Sequence, residues 1–275
     1  MNVRRQGSLA GRPAPEGDAG VRLMQERKAR YAMDVQRSGM SPREGEQEPG
    51  VSGERGVVRW LRRLAGLTLR LLHVYPFYIL GTRGYLYEIG WFRSFREHRA
   101  VDAEGKPIPW LTYPAIAFLE DRVRKEMAVF EYGAGSSSLW WSRHVKRIIT
   151  CEHDRTWFER VKRDAPENLE LHLVEQGEGE TGGAYCRKVS EYKSTFDIVV
   201  IDGVDRVNCG RQCLSALKED GVILWDNGDR ACWNEGYELL KERGFKRIDF
   251  VGIAPIIQIR SCTTIFYRSR NCLGI

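Results

Sequence analysis

The residues best equipped for chemistry stand in one short run, Val129-Phe-Glu-Tyr-Gly-Ala-Gly-Ser-Ser-Ser-Leu-Trp-Trp141. An apolar strand signature enters a glycine-rich bend, and the bend opens a helix. Gly133 and Gly135 let a ligand approach the backbone closely, with the N–H groups of the helix aimed at it. Glu152, in Thr150-Cys-Glu-His153 at the end of the next apolar run, follows Gly133 by about 20 residues, the spacing of the ribose-binding acid in nucleotide sites. A dinucleotide site would prefer a third glycine where Ser138 stands, and a carboxylate at Glu131 would repel its pyrophosphate. That carboxylate attracts an ammonium group instead, directly or through water. The pattern asks for a ligand with a ribose at one end and an ammonium-bearing chain at the other.

S-adenosylmethionine has both ends, so the charges favour a methyl donor over NAD. Glu131-Tyr-Gly-Ala-Gly-Ser-Ser137, Glu152 and Phe196-Asp-Ile-Val-Val-Ile-Asp202 resemble, in order, the motif series of class I S-adenosylmethionine-dependent methyltransferases, over roughly residues 110–268. That family often has glycine where Ser137 stands, and a serine or threonine variant is common. The resemblance implies that Glu131 holds the donor's amino group and Glu152 its ribose hydroxyls. Gly133, Ala134, Gly135, Ser136 and Ser137 would hold its methionine moiety, with Asp202 also within reach of the donor. It further implies a Rossmann-like, doubly wound, mostly parallel seven-stranded sheet with an antiparallel last strand. In that family the region of Trp110-Leu-Thr-Tyr-Pro114 packs over the donor, which makes Thr112 and Tyr113 further candidates.

Active sites of open α/β sheets lie at the carboxyl ends of the strands. Two such ends carry acids, in Ile201-Asp202-Gly-Val-Asp-Arg206 and Leu224-Trp-Asp226-Asn227. Carboxylate and amide oxygens are what Mg²⁺ prefers, and Asp202, Asp226 and Asn227 resemble the metal set of catechol-type O-methyltransferases. Those enzymes carry a lysine base three residues after the first aspartate, where this chain has Asp205 followed by Arg206. Two expectations stand side by side. Either the three residues hold Mg²⁺, or Asp202 contacts donor or substrate without metal while Asp226-Asn227 caps a turn. Methyl transfer asks mainly for alignment, because the donor is already activated. For a hydroxyl acceptor Asp202 is the candidate base and Asp205 the second. Cys209 and Cys213, spaced for one helix face with neither a second pair nor a histidine after them, read as buried small hydrophobes. His153 is a candidate neighbour of adenine, and the glycine-rich stretch around Tyr185 (GEGETGGAYCRK) a candidate flexible lid.

These residues need a scaffold that gathers several strand ends. Apolar runs at Ala128–Tyr132, Arg147–Cys151, Leu169–Val174, Phe196–Ile201 and Val222–Trp225 fit strands buried on both faces, hence a parallel sheet covered by helices. Phe245–Val251 and Thr263–Tyr267 are joined by a loop too short for a helical crossover, which predicts an antiparallel pair. Thr112 or Tyr113 caps a helix with Pro114 in its first turn and AIAFLEDRVRKE as its body.

Residues 110–275 form the candidate methyltransferase domain. Residues 1–56, rich in Gly, Pro and Arg, predict a disordered arm and linker, with a short helix available to 21–37. Residues 57–109 predict a helical cap whose first helix carries Arg59, Arg62, Arg63 and Arg70 opposite Trp60, Leu61, Leu64, Leu67 and Leu71. That cap either packs on the next domain or lies on an anionic membrane surface through 57–80.

Across 275 residues, 42% hydrophobic and 29% charged, wholesale disorder and fibrous repeats are excluded. The net charge of +6 is much weaker than the clustered charge of a dedicated nucleic-acid binder. Seven cysteines, an odd number scattered through core strands, suit a reduced, cytoplasmic protein. Neither a run of 18 apolar residues nor a secretory leader is visible. The sequence therefore points to a methyltransferase acting on a small-molecule or lipid-like hydroxyl. The alternatives are an RNA or protein methyltransferase docking through the arginine-rich arm, and a catalytically silent nucleotide-binding module. An NAD-linked oxidoreductase is disfavoured by Glu131 and Ser138.

Overall fold

Strands form where the chain is apolar on both faces. β1 (Ala128–Tyr132), β2 (Arg147–Glu152) and β4 (Phe196–Ile201) are buried almost throughout. β3 (Leu169–Leu173) and β6 (Lys246–Gly252) are partly exposed, as edge strands are. The computed structural model describes residues 74–176 and 181–275, with Gly56, Trp60, Leu61 and residues 64–68. The arm, the helix anticipated at 21–37, much of the basic helix after Val57 and part of the glycine-rich stretch lie outside the described residues. The chain divides into two compact units, Met1–Arg62 and Arg63–Ile275, and the second carries the whole sheet.

With β5 (Leu217–Asp226) and β7 (Ser261–Tyr267), the seven strands are ordered β3-β2-β1-β4-β5-β7-β6. β1 to β5 pair in parallel, and β7 runs antiparallel to both β5 and β6. The anticipated antiparallel last strand is therefore present. Strand order reverses beside β1, between β2 and β4, and that switch point is where open sheets leave a crevice.

Three short helices, α1 (Tyr75–Thr82), α2 (Tyr85–Glu88) and α3 (Trp91–Glu97), precede the sheet. Next come α4 (Tyr113–Glu120), α5 (Ser136–His144) and α6 (Arg155–Lys162). These three cover one face, where Tyr113, Leu119, Trp140, Trp141 and Val161 join one apolar cluster. α7 (Ala184–Arg187), α8 (Arg206–Cys213) and α9 (Asn234–Glu242) cover the other, around Phe130, Tyr185, Cys209 and Trp225.

Two boundaries differ from expectation for physical reasons. α4 ends at Glu120 rather than running on to Glu126, because the Arg122 and Val123 amides fold back onto the Leu119 carbonyl (3.0 and 2.8 Å). Beyond Leu119 only Val123 could face the core of a longer helix, and β1 must start at Ala128. β5 begins at Leu217 rather than Val222. Its polar start, Lys218-Glu-Asp, hides the strand in sequence, but the Lys218 ammonium pairs with both oxygens of Asp197 (2.9 and 2.8 Å). Among the described residues no helix is long and apolar enough to cross a membrane.

Candidate active site

The bend after β1 is shaped by Gly133, whose φ of +90° belongs to the left-handed region that favours glycine. A Cβ there would also stand 3.0 Å from the Asp202 carbonyl oxygen, so the bend packs directly on the end of β4. Beneath it Glu131 is fully buried. Its Oε2 accepts from the Ser138 hydroxyl and from Thr150 Oγ1 (3.1 Å), while its Oε1 is buried with no partner. Burial pushes this carboxyl up to about 7, with the charge of Glu152 adding to the rise and the hydroxyls of Ser137, Ser138 and Thr150 opposing it. Ser138, at the position a third glycine would take in a dinucleotide site, also accepts from the Gly135 N–H (3.1 Å) and so clamps the bend onto Glu131.

Glu152 closes β2 and lines the crevice. Its Oε2 accepts from the Ala134 N–H (2.7 Å) and its Oε1 from the N–H groups of His153 and Asp154 (2.8 and 2.7 Å). A carboxylate offers about four lone-pair sites, so Oε2 keeps capacity for a hydroxyl while its position is locked by backbone. His153 lies beside it, with Nδ1 3.0 Å from Oε1. Gly133, Ala134, Gly135, Ser136 and Ser137 form the adjoining wall.

At the ends of β4 and β5 a cation is already in place. The Arg206 guanidinium donates from Nη2 to Asp202 Oδ1 (2.9 Å), from Nε to the Gly203 carbonyl (3.0 Å) and from Nη1 to the Asp226 carbonyl. It lies 4.4 Å over the Trp233 ring. Burial, and then the charge of Asp226, raise the Asp202 carboxyl well above the usual range, with Arg206 opposing. Asp226 is raised to about 6 by burial, against Arg206, the Asn227 backbone N–H, Thr263 and Arg230. Asp226 Oδ1 also accepts from Thr263 Oγ1 (3.2 Å).

Mg²⁺ does not fit this arrangement. The guanidinium bridges the two strand ends where the ion would have to sit, and a divalent ion beside it would meet its full charge. Asn227 takes φ +54° in the turn after β5. The other expectation, Asp226-Asn227 shaping a turn, is the one that forms. Among the described residues no group of three or more His, Cys, Asp or Glu is gathered as for a metal ion.

Asp205 is corrected as the second base. With φ +47° it caps α8, and its carboxylate takes the Gly182 N–H (2.6 Å) and the Asn208 amide (2.9 and 3.1 Å). The Cys186 thiol also lies 3.2 Å from it. It fastens the segment before α7 rather than facing the crevice. Tyr185 is likewise core, fully buried against Tyr132 (5.5 Å between rings), not part of a lid. Thr112 binds Thr263 and the Phe250 carbonyl, and Tyr113 is buried on α4. Of that segment it is Trp110 that reaches the crevice. Cys209 and Cys213 are buried, as anticipated.

The crevice measures about 1540 Å³ and lies along the carboxyl ends of β1, β2, β4 and β5. Asp202, Asp226 and Asn227 line it together with Trp157, Arg230 and the segment Ile256–Ser261. Sequence reasoning missed those last contributors. Arg206 had a signal, since it stands four residues after Asp202 on a helix start. The loop before β7 had none, being an ordinary apolar stretch.

No protein-family model matches the chain, and no curated protein matches it. Solved structures with a similar arrangement include a precorrin-6y C5,15-methyltransferase from Geobacter metallireducens, 17% identical over 57% of this chain and 87% of that one, with a TM-score of 0.44. A methyltransferase from Geobacter sulfurreducens is 13% identical over 86% of this chain and 97% of that one (TM-score 0.41). Spermidine synthase from Thermotoga maritima is 18% identical over 55% of each chain (TM-score 0.43). By its own strand order, with β7 reversed between β5 and β6, this chain has a Rossmann-like, doubly wound fold, the arrangement that the resemblance to class I S-adenosylmethionine-dependent methyltransferases implies.

Proposed function

We propose that the chain transfers a methyl group from S-adenosylmethionine to an oxygen of a small-molecule or lipid-like acceptor. The observation that carries this is Glu131 Oε1, a buried carboxylate oxygen with no partner beneath the glycine bend. A buried charge without a counterion is costly, and an ammonium group answers it where a pyrophosphate would worsen it. Glu131, Gly133 to Ser137 and Glu152 would hold the donor, with Asp202 at its acceptor side. Once bound, the donor supplies a methyl group on sulfur that is already activated for transfer. The protein's task is then alignment and proton removal. Asp202 faces the crevice and has a raised pKa, which makes it the better base for an acceptor hydroxyl. Arg206 holds it in position. All seven cysteines are free thiols, in keeping with a reducing cytoplasm.

Phe77, Tyr78, Tyr85 and Tyr87 on α1 and α2 are exposed, which with the arginines preceding them supports peripheral membrane contact through 57–80. Cosedimentation with anionic but not neutral vesicles tests that contact, and equal pelleting with neither would remove it. The donor site is tested by calorimetry with S-adenosylmethionine, its demethylated product and NAD. The first two should bind and NAD should not; binding of NAD alone would overturn the assignment. Donor binding without turnover on any hydroxyl acceptor would instead favour the silent module.

A further inference from the structure

The far half of the crevice differs in character from the donor half. Sheet order separates them: the glycine bend and Glu152 lie over β1 and β2, while Asp226 and Arg230 follow β5. Because β7 is antiparallel, it starts at the edge where β5 ends, so the loop 253–260 before it forms the outer wall of this half. That loop is pinned twice. The Tyr113 N–H donates to the Ile253 carbonyl (3.0 Å), and Trp91 Nε1 donates to the Ile257 carbonyl (2.8 Å).

Between the pins Ile256 holds φ +73°. A β-branched residue enters that region only when its surroundings force it, and such strain gathers at ligand-binding segments. Ile256 and Ile257 line the crevice beside Ile259, which is 74% exposed. Water is a poor neighbour for three isoleucines on one wall. Arg260 follows directly, with no ion pair or side-chain hydrogen bond among the described residues. Arg230, in the turn after β5, lines the same crevice with its guanidinium 5.4 Å from the Trp233 ring centre, and forms no ion pair among the described residues. Arg206 takes Asp202 Oδ1 and Thr263 donates to Asp226 Oδ1, so neither carboxylate is bonded to Arg230 or Arg260.

We propose that the acceptor is an amphipathic anion, its aliphatic or aromatic body lying on Ile256, Ile257 and Ile259 and its phosphate or carboxylate held by Arg260 and Arg230. Guanidinium forks match either group with paired charge-assisted bonds. A cationic acceptor would be repelled, and a bare polyol would leave the isoleucine wall wet. The volume of about 1540 Å³ exceeds the roughly 300–1,000 Å³ of a single-ligand pocket, leaving room for a donor and such an acceptor together. The inference rests on the methyl-transfer reading for calling this ligand the acceptor.

Calorimetry on the full chain tests it, with S-adenosylhomocysteine present and three soluble probes below their micelle concentrations: octyl phosphate, octyl glucoside and octyltrimethylammonium. Octyl phosphate should bind at least about tenfold tighter than the other two, and Arg260→Ala or Arg230→Ala should each weaken it by about tenfold. Ile259→Asp should weaken octyl phosphate while leaving S-adenosylhomocysteine affinity unchanged. Equal binding of the cationic probe, or octyl phosphate binding indifferent to both arginine changes, overturns the proposal. If S-adenosylhomocysteine itself fails to bind, the donor reading falls, and the octyl phosphate titration still decides the anion site.

Discussion

Glu131 ties donor affinity to pH, and the size of the effect follows from its burial. The carboxyl is raised from 4.5 to about 7. Below that value it is protonated and offers an ammonium group no charge; above it the charge is present. S-adenosylhomocysteine, which keeps the amino group, should therefore bind more weakly as pH falls, by up to tenfold per unit below about 7. Between pH 8 and pH 5.5 the loss comes to about 30-fold, or roughly 2 kcal/mol. Stability of the ligand-free protein moves the opposite way. A folded pKa above the unfolded one favours the fold fully below about 4.5 and loses that contribution as pH rises through about 7, by about 3 kcal/mol in all, of which about 2 kcal/mol falls between pH 5.5 and 8. Calorimetry and thermal melts from pH 5.5 to 8 read both quantities. Glu131→Gln should flatten both curves, since the amide keeps an acceptor for Ser138 and Thr150 but cannot ionise. A wild-type affinity that is level over this range, or a Glu131→Gln curve parallel to it, would refute the role given to this carboxylate.

Three further outcomes follow from the strand ends. Asp202→Asn should lower turnover on a hydroxyl acceptor by about 10²-fold or more while leaving donor affinity within a few fold; equal losses in both would make it a binding residue only. Arg206→Ala should cost about 3 kcal/mol, because it removes the partner of a largely buried carboxylate. Mn²⁺ should then raise the melting temperature of that variant and not of wild type, and a wild-type response would restore the metal expectation. A Cβ at Gly203 would stand 2.0 Å from Tyr185 Oη, so Gly203→Ala should cost about 1–3 kcal/mol in urea unfolding, and adding Tyr185→Phe should recover part of it.

The sheet was legible because its strands are apolar on both faces, a pattern that helices of similar length do not share. Glu131, Glu152 and the glycine bend were legible because their roles depend on local spacing along one strand–turn–helix unit. The remainder depended on contacts between distant segments. Asp205 looked catalytic from its place after β4, yet the left-handed turn that starts α8 directs its carboxylate to Gly182 and Asn208. Asp202, Asp226 and Asn227 looked like a metal set because sequence shows their oxygens and not the guanidinium between them. The isoleucine wall carries no motif, and only the reversal of β7 places it over the crevice.

The acids at this sheet edge also explain why the site should respond to a cationic ligand as a unit. Glu131, Glu152 and Asp226 are buried, and Asp202 is only a quarter exposed. Glu152 raises Glu131, and both Asp226 and Glu131 raise Asp202. Backbone N–H groups satisfy Glu152 and Arg206 answers Asp202, so among these four acids Glu131 alone has a fully buried oxygen without a partner. A ligand that brings positive charge to that oxygen relieves repulsion at the neighbouring acids as well. Its stabilising effect should then exceed that of an uncharged adenosine of equal contact area, and the difference should disappear in Glu131→Gln. Adenosine raising the melting temperature as much as S-adenosylhomocysteine would show that the ribose contacts alone hold the ligand, with the carboxylate serving only to clamp the bend through Ser138.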